Sequence, residues 1–359
     1  AIQKIYIFFI VYLTGSTPIM DAGFFFFCPK HAYFKAFPIY LIIQRMGGLM
    51  KEGQEVFQIL PLEIRNTMSK HHLDIGKMQE IRLRVQQPIL FRYDHQEYFL
   101  SKERGRESMK EKAQVFTKEE LRQAMEYISG YSLYAYEEQL RNGFITIRGG
   151  HRVGLVGSVV MEGGNVKTLK HISCLNIRIA HQVKECARNV YQRCQEEGML
   201  LPTLIISPPG CGKTTILRDL IRICSNQGQT VGVVDERSEI GAAYQGIPQN
   251  DLGIRTDLLD GCSKGEGMNM LIRSMAPEII AVDEVGTKED VEALFFCAFR
   301  GCTLLATAHG RSRESLLKNP YMEEALKKKM FQRYVILDGR SRPGEIKKIF
   351  DENGVELYD

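Results

Sequence analysis

Thr203-Leu-Ile-Ile-Ser-Pro-Pro-Gly-Cys-Gly-Lys-Thr-Thr-Ile-Leu217 is the stretch whose reading decides the fold. Its opening apolar run, Leu204 to Ile206, has the length of a buried strand. Pro208, Pro209, Gly210 and Gly212 then supply a turn. Beyond it, Ile216, Leu217, Leu220 and Ile221 recur at the spacing of a helix face. Strand, glycine loop, Lys-Thr and helix is the context a phosphate-binding loop requires. Successive backbone N–H groups of such a loop, with the helix N-terminus behind them, form a positive concavity for phosphate oxygens. The candidate nucleotide-binding residues are Ser207, Pro208, Pro209, Gly210, Cys211, Gly212, Lys213, Thr214 and Thr215. Lys213 has the reach for the β- and γ-phosphates of ATP, and the Thr214 hydroxyl is the expected Mg²⁺ ligand. The pattern G-x-x-x-x-G-K-[ST] has one departure here: Ser207 stands where the first glycine is usual.

Downstream, strand and helix patterns alternate, as in a parallel α/β sheet. Thr230 to Val234 reads as a strand ending in Asp235-Glu236-Arg237. Gly241 to Gly261 reads as a long functional loop. Helices are expected over Met268 to Met275 and Lys288 to Arg300. Strands are expected over Glu278 to Val282, Thr303 to Thr307 and Tyr334 to Asp338, the last completing the sheet.

The apolar strand ending in Asp283-Glu284 lies downstream of the glycine loop, which is the Walker B arrangement. Asp283 then holds Mg²⁺, directly or through water. Glu284 is placed to orient or deprotonate an attacking water. Asp235 and Glu236 end a neighbouring strand and should face the same crevice, where they either order water or Mg²⁺ or pair with Arg237. Thr307 and His309 end a further strand and are candidate sensors of the γ-phosphate. The catalytic candidates are Lys213, Glu284, Glu236 and His309, and the metal candidates are Thr214 and Asp283.

Upstream of the glycine loop the pattern changes. Glu80 to Val85 alternates like a strand, with Ile81, Leu83 and Val85 on one face. Lys102 to Lys112 reads as a charged, solvated loop. Thr117-Lys-Glu-Glu120 is a capping box opening a helix that ends near Gly130. Tyr131 to Leu140 reads as helical. Phe144 to Arg148 and Val153 to Val160 read as strands around Gly149-Gly150, and Gly163-Gly164 as a turn. Cys174 to Ala180 reads as a strand and Val183 to Glu197 as an amphipathic helix. The expected organisation is a smaller α+β domain over 50–170, followed by a RecA-like P-loop ATPase domain with a parallel sheet over 171–359.

Residues 1–49 differ again. They are dense in aromatics, Phe24 to Phe27 among them, and carry one acid, Asp21. Position 1 is not Met. We expect this stretch to be a non-native or disordered extension, with Met50 as the working start.

Composition bounds the function classes. The formal net charge of +4 over 359 residues is too mild to imply nucleic acid. Nine cysteines show no C-x-x-C pair or zinc spacing, which fits reduced thiols. Cys211, inside the loop, is either a reactive thiol at a helix N-terminus or a packing residue. No stretch reaches the ~18 to 20 apolar residues a spanning helix needs.

Several of these motifs together resemble the stage III sporulation protein AA family. The resemblance rests on Ser207 to Thr215, Val234 to Ile240, Gln245 to Asp251, Gly253 to Asp257, Leu271 to Met275 with Val282-Asp-Glu284, and Thr307-Ala-His309. Glu80 to Arg84 and Gly143 to Gly157 carry it upstream. That family is similar to the hexameric ATPases of type II and type IV secretion. By that likeness Asp235-Glu236 matches their acidic box and Thr307-Ala-His309 their histidine box, while Asp283 replaces the glycine common before their Walker B glutamate. The resemblance implies a cytoplasmic Mg²⁺-dependent ATPase, peripheral at the mother-cell side of the forespore membrane. Its implied partners are membrane-embedded sporulation channel proteins and further copies of itself in a ring such as a hexamer. Arg178, Arg237, Arg255 and Arg273 are then candidates to act on a neighbouring subunit's γ-phosphate.

Two other readings remain open on the sequence. One is an ATPase acting on nucleic acid, although no basic stripe with interleaved aromatics follows position 49. The other is a nucleotide-binding assembly protein with negligible turnover.

Overall fold

The computed structural model describes residues 53–130, 137–141, 143–338 and 343–358. The stretch 1–49, and most of the helix expected over Tyr131 to Leu140, lie outside the described residues. Residues 51–359 form one compact unit that holds two principal sheets.

The first sheet is built from the N-terminal third. Helices α1 (Gln54–Ile59) and α2 (Leu62–Lys70) precede strands β1 (Met78–Arg84), β2 (Leu90–Tyr93), β3 (Gln96–Ser101) and β4 (Gly105–Glu107). Helices α3 (Lys118–Ser129) and α4 (Glu137–Arg141) follow, then β5 (Phe144–Thr146), β6 (Arg152–Glu162) and β7 (Asn165–Arg178). Seven strands lie in the order β4-β3-β2-β1-β7-β6-β5, every pair antiparallel. The capping box at α3 is formed: the Thr117 hydroxyl accepts from Glu120 N–H and the Glu120 carboxylate accepts from Thr117 N–H. Gly130 ends the helix in the left-handed conformation. Ile81 and Leu83 of β1 are buried, as their alternation requires, in a core with Phe91, Leu155 and Ile177.

Two upstream expectations are corrected. Gly105–Glu107 is an edge strand inside the stretch read as a charged loop, with Glu107 buried. Its Oε1 accepts the N–H groups of Ser108 and Met109, while its buried Oε2 has no hydrogen-bond partner among the described residues. Strands β6 and β7 are longer than their apolar cores because they continue as a two-stranded ribbon to the turn at Gly163-Gly164. Strand β7 runs across position 170 and stays in the first sheet as far as Arg178.

The amphipathic helix expected over 183–197 is only α5 (Arg188–Cys194). Glu185 has φ +64°, outside the helical region, and Asp219 accepts the Ala187 N–H at 2.9 Å where the helix begins. Gly198, expected to stop a helix, instead turns the small hairpin of β8 (Gln195–Glu196) and β9 (Met199–Leu200).

The second sheet comprises β10 (Thr203–Ser207), β11 (Val231–Asp235), β12 (Thr256–Asp260), β13 (Ile279–Val282), β14 (Thr303–His309), β15 (Arg333–Leu337), β16 (Ile346–Asp351) and β17 (Glu356–Tyr358). Helices α6 (Lys213–Asn226), α7 (Lys264–Ser274), α8 (Lys288–Phe299) and α9 (Pro320–Lys327) connect them. The order is β12-β11-β13-β14-β10-β15-β16-β17, parallel from β12 to β15. Strand β14 separates the glycine-loop strand β10 from the acidic strand β13. The chain is thus α/β, an antiparallel N-terminal sheet followed by a mostly parallel, RecA-like one.

Strands buried on both faces read as continuous apolar runs. Leu204 and Ile206 of β10 enter the core under α7 to α9, while Ile205 enters the core under α6. The cysteines serve this packing: all eight described are unbonded, and burial pushes the thiols of Cys194, Cys224 and Cys297 up to about 12.

Two further expectations change here. Thr256–Asp260, inside the stretch read as a loop, is the parallel edge strand β12; Leu258 and Leu259 pack on opposite cores, which a lone Leu pair among Gly and polar residues did not announce. The sheet does not end at β15, because β16 and β17 add to it antiparallel, with Ile349 fully buried.

Candidate functional site

The carboxyl ends of β10, β11, β13 and β14 converge, and the expected site residues lie at those ends. The glycine loop owes its shape to two glycines at positive φ, Gly210 at +76° and Gly212 at +89°. A side chain on Gly210 would meet open space, whereas one on Gly212 would stand 2.8 Å from the Gly344 backbone nitrogen. Gly344 N–H donates to the Cys211 carbonyl at 2.9 Å, so Gly344 lies directly against the loop. Ser207 is still the last residue of β10, paired in register with His309, and is absent from the positive-φ residues. Nothing at that position demands a glycine, which accounts for the departure from the usual pattern. Pro208 is half-buried and Pro209 exposed. Cys211 is buried, its thiol 3.8 Å from the Pro209 carbonyl, so the packing alternative describes it. Thr215 is half-buried, the third residue of α6, past the cluster.

Lys213 and Thr214 open α6 and point to different partners. Thr214 Oγ1 donates to Asp283 Oδ2 at 2.6 Å. The Lys213 ammonium lies 3.3 Å from His309 Nδ1. His309 Nε2 in turn is 2.9 Å from Glu284 Oε1, and Arg237 Nη1 is 2.8 Å from Glu284 Oε2. Acceptance from the ammonium at Nδ1 assigns the ring proton to Nε2, where it faces the carboxylate.

Thr307 sits behind both acids. Its hydroxyl donates to Asp283 Oδ1 and accepts the Glu284 N–H at 2.9 Å, and its carbonyl accepts from Val285 N–H. Glu284 itself is held at φ +54°, a conformation unfavourable for a non-glycine residue that persists where the surroundings fix it. Thr307 is fully buried and its hydroxyl holds both acids in place.

Asp235 and Glu236 part company. Asp235 is buried and accepts the N–H groups of Glu239, Ile240 and Gly241 at 2.7–2.9 Å. Burial pushes its carboxyl up to about 6 against those donors, so it is ionised at neutral pH and fixes the turn after β11. Glu236 is exposed and pairs with Lys264 Nζ at 2.6 Å. Lys264, Glu236, Arg237, Glu239, Asp283 and Glu284 line one cleft.

Sequence reasoning missed three basic residues around this cleft. Lys264 is the first residue of α7 and nearly buried; its only local signal is Ser263 at the helix start. Arg218, on α6, donates to the carbonyls of Glu239 and Ile240 at 2.6 and 2.9 Å. Arg152, on β6 of the first sheet, donates to the carbonyls of Arg237 and Ser238. Of the four arginines proposed to act in trans, Arg237 alone reaches the acidic cluster among the described residues. Arg178, Arg255 and Arg273 are exposed away from it.

The residues present fit Mg²⁺ and a nucleotide. Mg²⁺ keeps several waters and takes one or two protein oxygens with substrate phosphates. A hydroxyl and a carboxylate already in contact, Thr214 and Asp283, are such a donor pair. Among the described residues no group of three or more His, Cys, Asp or Glu forms a dedicated metal cage. Among them, too, no helix is long and apolar enough to cross a membrane.

The chain is similar to several known proteins. A curated relative, "Stage III sporulation protein AA" of Bacillus subtilis (strain 168), is 38% identical over 306 residues, 84% of this chain and 95% of the relative. The Legionella pneumophila ATPase DotB is structurally similar with TM-score 0.49 at 14% identity, over 77% of this chain and 76% of that one. The pilus retraction motor PilT, solved with bound ADP, gives TM-score 0.49 at 15% identity, over 76% of each chain. The family profile described as "Sporulation stage III, protein AA" matches residues 50–357, and the chain belongs to that family.

Proposed function

We propose that the protein is a Mg²⁺-dependent ATP hydrolase of sporulation that powers or assembles a secretion-like channel between mother cell and forespore. One observation carries the enzymatic part: Thr214, Asp283, Glu284, His309 and Lys213 form one connected cluster at the mouth of the glycine loop.

The roles follow from chemistry. The loop N–H groups and Lys213 hold the phosphates. Thr214 and Asp283 hold Mg²⁺, which supplies charge neutralisation of the phosphate oxygens. Glu284 orients the attacking water and takes its proton. His309 bridges Lys213 and Glu284, so it reports to one acid what is bound at the other residue. Glu236 is held by Lys264 at the edge of the same cleft. The sporulation role rests on family membership, and the cytoplasmic, membrane-docked setting on the resemblance above.

We assign the working form to a homo-oligomeric ring with nucleotide between subunits, docked on membrane-embedded channel proteins. Nucleic acid is not the expected partner.

The test is a pair of variants. Lys213→Ala is expected to lose ATP binding, since the loop loses its point charge. Glu284→Gln is expected to keep ATP binding and lose phosphate release. Near wild-type turnover by purified Glu284→Gln protein would refute Glu284 as the water-orienting residue. A protein that stays monomeric in sedimentation at high concentration with nucleotide would overturn the ring.

A further inference from the structure

We infer that Arg237 is a positioning residue that restrains Glu284, and that Arg152 of the first sheet sets it, so that the N-terminal sheet gates turnover at the acidic cluster. The inference rests on the hydrolase reading above.

Both Glu284 oxygens are occupied. Oε1 faces His309 Nε2 at 2.9 Å and Oε2 faces Arg237 Nη1 at 2.8 Å. A base must stand within hydrogen-bond reach of the water whose proton it takes, with a lone pair free for it. Each oxygen keeps a further lone pair, but the two partners on opposite oxygens fix the carboxylate's direction, and turning it toward a water requires one of them to leave. His309 is tied to Lys213, whereas Arg237 has a side chain that is 68% exposed and, among the described residues, no second acid paired with it. A partly exposed ion pair is weakly held, which makes Arg237 the partner that releases.

The backbone that carries Arg237 is gripped from two directions. Its N–H groups at 239, 240 and 241 point inward to Asp235. Its carbonyls point outward in two pairs. Those of Glu239 and Ile240 are taken by Arg218 of the glycine-loop helix. Those of Arg237 and Ser238 are taken by Arg152, a residue of the other sheet, whose Nη1 also lies 3.4 Å from Glu239. The Arg152 guanidinium carbon lies over the Phe144 ring, 4.9 Å from its centre. A second tie runs alongside, from Gly149 N–H to Gln249 Oε1 at 2.8 Å.

A shift of the first sheet therefore acts on the Arg237–Glu239 segment at the edge of the cleft. A guanidinium can hold two carbonyls and a carboxylate at once in a planar fork; an ammonium is a point donor. That difference separates a specific grip from a general positive charge.

The full chain is tested as wild type, Arg237→Ala, Arg152→Ala, Arg152→Lys and the Arg152→Ala/Arg237→Ala double variant. ATP turnover is read as kcat and KM, and binding as the Kd of a fluorescent ATP analogue. Arg237→Ala is expected to raise kcat about two- to fivefold, the release of one weak ion pair, with Kd within about twofold. Arg152→Ala and Arg152→Lys are expected to rise similarly, and the double variant no further.

A kcat that falls or stays level in Arg237→Ala at unchanged Kd overturns the inference. So does additivity in the double variant. If Arg152→Ala fails to fold, Arg152→Lys decides the part of the first sheet and Arg237→Ala the restraint on Glu284, because the exposed Arg237 side chain supports no core. Wild-type turnover that Glu284→Gln abolishes, with a slower Arg237→Ala, sinks the restraint and leaves the hydrolase standing. ATP binding without turnover in wild type and every variant sinks both.

Discussion

Thr214 Oγ1 donates to Asp283 Oδ2 at 2.6 Å, joining the start of α6 to the end of β13 across 69 residues. The two oxygens that would share Mg²⁺ are thus already together before any metal arrives. Thr214→Val keeps the side-chain shape and removes the hydroxyl. We expect it to lose the Mg²⁺-dependent part of ATP binding while keeping the Mg²⁺-free part. Calorimetric titration with and without Mg²⁺ checks this; equal loss in both would place Thr214 outside metal binding.

Thr307 is the common support of both acids. Thr307→Val removes one of the two hydroxyl donors to the half-buried Asp283 carboxylate and leaves the Glu284 N–H without its acceptor. The expected cost is about 1 to 3 kcal/mol in stability, with a fall in kcat larger than any change in ATP affinity. Denaturant unfolding and steady-state kinetics measure the two. Full activity in a stable variant would mean that the left-handed Glu284 backbone holds its position unaided.

Gly212 combines φ +89° with backbone at 2.8 Å from any added Cβ. Gly212→Ala is expected to destabilise by about 1 to 3 kcal/mol and to weaken ATP binding. Gly210→Ala meets open space, so its cost is conformational only and smaller. Thermal melts of the two side by side test the ranking, and the reverse order would contradict it.

His151 makes the fold sensitive to acid. It is buried, its Nδ1 accepts Ala180 N–H at 3.0 Å, and its Nε2 lacks a hydrogen-bond partner. Burial lowers its pKa from 6.5 to about 4. The folded state then binds this proton less readily than the unfolded state. Its stabilising contribution is whole above pH 6.5 and is lost as pH falls through 4, by up to about 3 kcal/mol. Asp235 opposes it: with a carboxyl raised to about 6, its contribution is greatest below 3.8 and declines as pH rises through 6. His151→Gln is expected to flatten the loss between pH 6.5 and 4. Unfolding midpoints across that range decide; an unchanged slope would mean His151 does not govern it.

Much of the site was legible because its signals are local. Strand β10, the glycine loop and α6 are contiguous, and their geometry follows from residues next to one another: apolar run, φ-permissive Gly210 and Gly212, helical spacing from Ile216. Asp283-Glu284 at the end of β13 and His309 at the end of β14 were legible for the same reason. The capping box at Thr117 is four residues long and was read outright.

What the tertiary structure decided is partnership between distant residues. Strand β12 exists because Thr256–Asp260 finds the open edge of β11, and helix α5 is short because Asp219 accepts its leading N–H. Asp235 and Glu236, adjacent in sequence, share the same open alternatives on the sequence and part in the fold, since strand geometry turns one inward to three N–H groups and the other outward to Lys264. Arg152 lies 85 residues from the Arg237 carbonyl it holds. Periodicity records which face a side chain takes within its own element; it carries no record of which other element that face will meet. Hydrogen bonds and ion pairs across such distances form only once two hydrophobic cores have set the sheets against each other.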